Sequence, residues 1–394
     1  MKTLDVSAPL TKRGLILHDG LAFLALTASS VALFGVTLFL FRSFEEHRAD
    51  LAREWAARGR TALAQQRPAD AVAALRTSLS YAPETRPEQF LLAQALADAG
   101  RTDEATNYFL NLREATPGDG FINLQLARLA RKKDETKEAE DFYRESIFGS
   151  WEQDGATRRR EVRLEFVDFL LGLRQFSEAR NELFTVAQNA PNDATLNLLV
   201  AEKLQVAADG SDALAFAEKA VDMDPKNEGA LEQAGRIAYQ LGEYAKAEDL
   251  LQRAVAEDAR APDRGELRGL LGDARRMQEL TLTRDQPAGQ RANHILLAAD
   301  VAQARLKSCA AEIGSTLDGA GVVADLNAQW KAATGGGHTK RRTLLENADA
   351  QDTWTQLIYR TEQETAQVCG APSGDDALLL RLAKAGKGEA RNGR

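Results

Sequence analysis

Alanines at Ala71, Ala105 and Ala139 are spaced by 34 residues, and Ala179, Ala213 and Ala247 repeat that interval after an offset of six extra residues. A fixed period held over six units constrains the fold more than any single motif. Each unit must be one small supersecondary element that cannot bury its apolar face alone, so stability comes from stacking. Four residues after each alanine stand Leu75, Phe109, Tyr143, Leu183, Ala217 and Leu251, on the same face of a helix. Pro83, Pro117, Pro191 and Pro225 close four of the six units, where a missing N–H and a fixed φ stop a helix. The first half of each unit also keeps step: Trp55 with Gly59, then Leu92–Ala93, Leu126–Ala127, Phe166–Val167, Val200–Ala201 and Ala234–Gly235. Small residues there let two helices approach closely. Low aromatic content, ten prolines and abundant alanine and leucine suit packed helices, so the expected class is all-α.

Two antiparallel helices in 34 residues, with these small positions and closing prolines, resemble the tetratricopeptide-repeat (TPR) family. The resemblance spans residues 52–260, about six repeats of an α-solenoid. Trp151 stands where the third unit should have its proline, and residues 149–157 insert a loop. Ala259 replaces the last proline, with Pro262 nearby. Residues 261–285 read as a capping helix or half-repeat covering the solenoid's end.

The resemblance implies a groove lined by the first helices of successive units, in which extended peptides or helices of partner proteins lie. The ninth position of each unit is Arg60, Gln94, Arg128, Asp168, Glu202 and Arg236, all polar. Arg53, Gln125, Arg131 and Tyr239 are neighbouring groove positions. The first three units then present a basic wall and the next two an acidic one, which suits a ligand with charges of both signs. The alternative is an ordinary solvated helix face. The lysine and asparagine set by which some family members capture a C-terminal carboxylate is missing.

Residues 21–41 carry no charge and, as a helix, reach roughly 30 Å, the thickness of a hydrocarbon core. They are read as an uncleaved, single-pass transmembrane anchor after an N-terminal tail of residues 1–20. A signal peptide is the rival, but the run is long and no small-residue cleavage site closes it. Arg42, Arg48, Arg53, Arg58 and Arg60 follow it, and a positive-inside count favours a cytoplasmic solenoid. Long domains translocate regardless of charge, however, and the two cysteines suit an oxidising compartment. The chain is therefore expected to be a bacterial inner (plasma) membrane protein with its repeats on the periplasmic or extracellular side.

Helical periodicity continues over residues 286–384, through Ile295, Leu296, Val301, Leu306, Leu326, Trp330, Trp354, Leu357 and Ile358, as a small C-terminal helical domain. Residues 385–394 have little to bury and are expected to be disordered. Cys309 and Cys369 fall near the C-terminal ends of two helices and form a disulfide candidate, against the alternative of two buried thiols. The four histidines have no metal-binding spacing, so no metal and no cofactor is expected. The glycines at 335–337 lack the P-loop pattern, and no nucleophile elbow occurs. No catalytic residue is proposed, nor a small-molecule substrate. A formal charge of −8 speaks against nucleic acid. The expected function is a membrane-tethered scaffold or adaptor, and the alternative is a permanent structural subunit of a larger membrane or envelope complex.

Overall fold

The computed structural model describes residues 12–189, 193–257, 265–335 and 340–392. Expectations for residues 1–11, for Pro191, Ala259 and Pro262, and for the loop at 336–339 fall outside the described residues. Among those described, all regular elements are helices, and the one β-bridge is isolated. The chain divides into two compact units, Met1–Phe169 and Leu170–Arg394, so the later repeats cluster with the C-terminal helices rather than with the earlier repeats.

The first unit opens with α1 (Lys12–Ala64), a single helix of 53 residues. It joins the expected anchor to the first repeat without a break at residues 42–51. That stretch has no proline or glycine, and the i,i+3 pairs Arg48–Glu45 (3.4 Å) and Arg53–Asp50 support it. Side chains from Leu21 to Phe44 are exposed, whereas Ala52, Ala56 and Ala62 are buried. Thus α1 is lipid-like in composition at one end and a repeat helix at the other. Helices α2 (Pro68–Tyr81), α3 (Arg86–Asp98), α4 (Thr102–Ala115), α5 (Gly120–Lys132) and α6 (Thr136–Phe148) follow as the expected pairs. α7 (Gly155–Gly172) runs through the boundary between units. Their core joins Leu75, Leu92, Phe109, Ile122 and Leu126.

In place of the missing third proline, the insertion closes its unit by backbone pairing. Gly120 N–H donates to Ser150 O at 2.9 Å, and Ser150 N–H to Gly118 O at 2.7 Å. Trp151 lies over Gly120, where an added Cβ would meet the indole at 2.4 Å.

The second unit contains α8 (Phe176–Asn189), α9 (Ala194–Val206), α10 (Gly210–Met223), α11 (Glu228–Leu241), α12 (Tyr244–Glu257) and α13 (Gly265–Leu280). The C-terminal helices are α14 (Ala288–Glu312), α15 (Val322–Thr334), α16 (Lys340–Glu346), α17 (Ala348–Cys369) and α18 (Gly374–Asn392). Their shared core includes Ile295, Leu306, Leu326, Trp330, Trp354 and Ile358, and Leu280 of α13 belongs to it. Trp330 and Trp354 meet edge to face at 5.8 Å. Cys309 and Cys369 are joined by a disulfide with Cα atoms 5.6 Å apart. The backbone stays helical to Asn392, in place of the disorder expected from residue 385; alanine, lysine, glutamate and arginine there have high helix propensity.

One backbone feature recurs through both units. Gln66, Gly100, Asp134, Arg174, Ala208 and Gly242 all have φ between 54° and 84° and stand at intervals of 34 residues, or 40 across the insertion. Each ends the first helix of its pair. The next N–H then reaches back to close a six-residue loop, as in Arg67 to Ala62 O (2.9 Å), Asp209 to Leu204 O (3.0 Å) and Glu243 to Ala238 O (2.9 Å). Only two of the six are glycine.

The helices of a pair also approach closely. A Cβ on Gly59 would lie 2.5 Å from Leu75 Cγ, and one on Gly235 would lie 2.7 Å from Leu251 Cγ. Two substitutions test these constraints. Ala208→Gly should stabilise by about 0.5–1 kcal/mol, because removing left-handed strain outweighs glycine's entropy. Gly235→Ala should destabilise by about 1–3 kcal/mol through overpacking, although alanine is the better helix former. Urea unfolding followed by circular dichroism measures both.

Candidate functional site

In the first unit the expected groove positions lie on α1, α3, α5 and α7. Arg53 is exposed and paired with Asp50. Arg60 Nη1 stands 3.6 Å from Glu88 Oε1 on α3, and Glu88 Oε2 is buried with no hydrogen-bond partner. Arg128 donates from Nε to Glu165 Oε1 (2.9 Å) and from Nη2 to Oε2 (2.6 Å), forming a fork from α5 to α7. Arg131 lies over the Phe169 ring at 5.9 Å. Gln94 and Gln125 are half-buried, and Asp168 is exposed.

The Arg128–Glu165 fork has a third member. The Tyr143 hydroxyl donates to Glu165 Oε1 at 3.0 Å. Burial, followed by the charge of Glu165, pushes the Tyr143 hydroxyl up to about 12. Burial alone would raise the Glu165 carboxyl. The Arg128 guanidinium, the Tyr143 hydroxyl and the Arg131 charge together overcome that and hold it below the usual carboxylate range.

In the second unit Arg236 pairs with Glu232 (2.8 Å) on its own helix and with Glu266 (2.7 Å) on α13. Gln205 and Gln240 meet at 3.3 Å between α9 and α11, and Glu202 is exposed. Tyr239 departs from expectation: it is only 6% exposed, because Arg381 of α18 stacks over its ring at 4.4 Å and Tyr244 packs edge-on at 5.6 Å.

The basic residues of this face are thus largely matched by acids. Arg60, Arg128 and Arg236 each bridge to the first helix of the next pair, so they hold successive units in register as much as they offer charge. Their acidic partners could not be read from the period, since Glu88, Glu165 and Glu266 do not stand 34 residues apart. Also missed were Phe90 and Phe121, half-buried rings 5.2 Å apart on α3 and α5. With Gln94 and Gln125 they give the face amide donors and acceptors beside apolar surface, which suits contact with a polypeptide.

A right-reading ladder of paired antiparallel helices, each closed by the same left-handed turn, defines an α-helical repeat protein. Family models described as tetratricopeptide repeat match residues 56–120, 90–154 and 207–273. Over those stretches the chain carries tetratricopeptide repeats. Among solved structures it is similar to YrrB, titled a TPR protein with an unusual peptide-binding site, at 17% identity over 49% of this chain and 94% of that one, with a TM-score of 0.37. The C-terminal part of a TPR repeat-containing protein from Cytophaga hutchinsonii aligns at 12% identity over 60% and 91%, TM-score 0.44. Pseudomonas aeruginosa PilF aligns at 14% identity over 57% and 99%, TM-score 0.38. No curated protein matches the chain.

The Glu165 cluster yields a pH-dependent expectation. A carboxyl held low in the folded state contributes stability that is present above its unfolded pKa and lost as pH falls through its folded value. Glu165→Gln should cost about 1–2 kcal/mol at pH 7, with allowance for the half-exposed Arg128. The difference from the parent protein should shrink below about pH 4. Urea unfolding at pH 7 and pH 3.5 gives both values.

Proposed function

We propose that this chain is a membrane-tethered adaptor that recruits partner proteins, as extended segments or helices, to its repeat face. The TPR fold is that of a protein–protein interaction scaffold, and TPR proteins are generally non-enzymatic. The observation that carries the tether is α1, whose apolar end is exposed while its other end is built into the first repeat. A stretch of that length and composition suits either a membrane span or a signal sequence. Continuity with a repeat helix supports the span, since α1 runs from its apolar stretch into the first repeat with no break where a cleavage site would lie. Tethering raises the local concentration of whatever the repeats bind, so weak contacts suffice.

The bond between Cys309 and Cys369 supports an exported solenoid at the plasma membrane, because such bonds persist in oxidising compartments. A second reading, a permanent subunit of a larger membrane complex, is favoured by one observation: the arginines of the face are already engaged with carboxylates of this chain.

Three measurements test these readings. After carbonate extraction the full chain should stay with the membrane fraction; its release would remove the anchor. In intact cells a membrane-impermeant maleimide should label Cys309 and Cys369 only after reduction and denaturation. Free thiols that react only once the membrane is breached would place the solenoid in the cytoplasm. A photo-crosslinker at Arg131 or Glu202 should give discrete adducts, while one at Ala73, exposed on α2, should give none. Adducts from all three positions would favour the built-in subunit.

A further inference from the structure

The C-terminal helix α18 covers part of the face just described. Its own Leu379 and Ala383 are buried. Arg276 of α13 grips Asp375 through two bonds, Nε to Oδ1 at 3.0 Å and Nη2 to Oδ2 at 2.6 Å. Arg381 stacks over Tyr239 of α11. Gln363 of α17 donates to Ala383 O at 2.9 Å. Only residues 370–373 connect α17 to α18; Gly370 (φ 84°) opens this link and Gly374 (φ 59°) follows it as the first residue of α18, both with positive φ. The disulfide fixes the end of α17 immediately before this link. The geometry is that of a hinged helix whose root is covalently held.

A misfit lies under the hinge. Glu362 of α17 is completely buried, and neither carboxylate oxygen has a hydrogen-bond partner. Two charges act on it. Asp376, half-buried, faces it from α18, and Arg305, buried, faces it from α14. Arg305 does not neutralise it: one Nη bonds Glu312 Oε1 at 3.2 Å and the other Gly370 O at 3.2 Å. From α15 the group beside this position is Trp330, whose indole N–H bonds Thr361 at 3.0 Å and brings no charge. Asp375, next to Asp376, is occupied by Arg276. A charged Glu362 would therefore sit dry, unpaired and beside a second carboxylate.

We propose that α18 is a proton-controlled clasp over the Tyr239–Tyr244 surface: it is docked when Glu362 is neutral and released when Glu362 and Asp376 both carry charge. Release turns about the 370–373 link and uncovers Tyr239 for a partner polypeptide. This goes beyond the adaptor reading, because it sets when that part of the face is open.

The sign follows from the environment. Burial, and then the charge of Asp376, outweigh Arg305 and push the Glu362 carboxyl up to about 8, from an ordinary 4.5. Asp376 is raised in the same direction, first by burial. A group whose docked value is raised stabilises docking fully below its free value and loses that contribution as pH rises through the docked value. Docking is thus tightest in acid and weakens between about pH 4.5 and pH 8.

Hydrogen exchange of residues 378–384 in the full chain, corrected for intrinsic rates and needing no partner, tests the clasp. From pH 5.5 to 8 the opening equilibrium of α18 should rise by up to roughly tenfold per pH unit, while α11 and α12 keep constant protection. Glu362→Gln should flatten that rise at the acid-side level. Asp376→Asn should leave α18 more protected at pH 8 than in the parent chain. Opening of the unsubstituted protein that does not change with pH would overturn the proposal, whether or not the variants fold. So would a Glu362→Gln chain with the parent slope. Either failure leaves the adaptor reading untouched.

Discussion

Everything in this fold depends on two helices lying close enough for a leucine of one to fill the space left by a missing side chain on the other. At Gly59 and Gly235 the facing Leu75 and Leu251 occupy the position a Cβ would need. A pair of 13- or 14-residue helices is too short to persist alone in water, so the pair must bury its remaining apolar surface against its neighbours. Stacking follows from that shortage. The left-handed turn that ends each first helix is the second half of the same requirement, because it reverses the chain within a few residues and satisfies carbonyls that the helix end leaves open. Four of six units place Gln66, Asp134, Arg174 or Ala208 there, so the geometry is imposed by packing rather than by residue preference.

Stacking also decides what the first helices can do with charge. Neighbouring first helices are close enough for a long side chain to span them, and Arg60, Arg128 and Arg236 do so toward Glu88, Glu165 and Glu266. Guanidinium suits this role, since its planar fork meets a carboxylate with two bonds, as at Arg128 and Glu165. An incoming ligand must either displace such a pair or use what lies between, the half-buried amides and the Phe90–Phe121 rings. Binding through the second route keeps the ladder intact, so recognition need not weaken the scaffold.

The repeat pairs were legible because a 34-residue period leaves its mark on small and proline positions alike. Ala71 and Ala105 announce the packing, and Pro83 and Pro117 the end of each unit. The disulfide was legible for a simpler reason: Cys309 and Cys369 are the only two thiols and both fall at helix ends. What escaped has a common cause, contact between residues that no period links. Tyr239 reads as an open groove position until Arg381, far along the chain, is seen stacked on it. The acidic partners of the arginines sit at varied offsets. The turn at Ala208 has no local signal, since alanine does not favour a left-handed backbone. Trp151 could be recognised as a departure, but not as a staple over Gly120.

The two ends of the chain solve opposite mechanical problems. At the N-terminus α1 passes from its exposed apolar stretch into the first repeat with no proline or glycine between Gly35 and Gly59, and Arg48 ties it to the end of α2 through Tyr81 O at 2.8 Å. If the apolar stretch lies in lipid, the first repeat is held at a fixed angle and distance rather than on a flexible leash, which narrows the volume a partner must search. At the C-terminus the link before α18 is bounded by two glycines with positive φ, and a buried carboxylate opposes the docked state once charged. On the proposed reading the two ends divide the labour: a stiff root would set the position of the first repeat, and a hinged α18 would govern how much of the surface around Tyr239 is open.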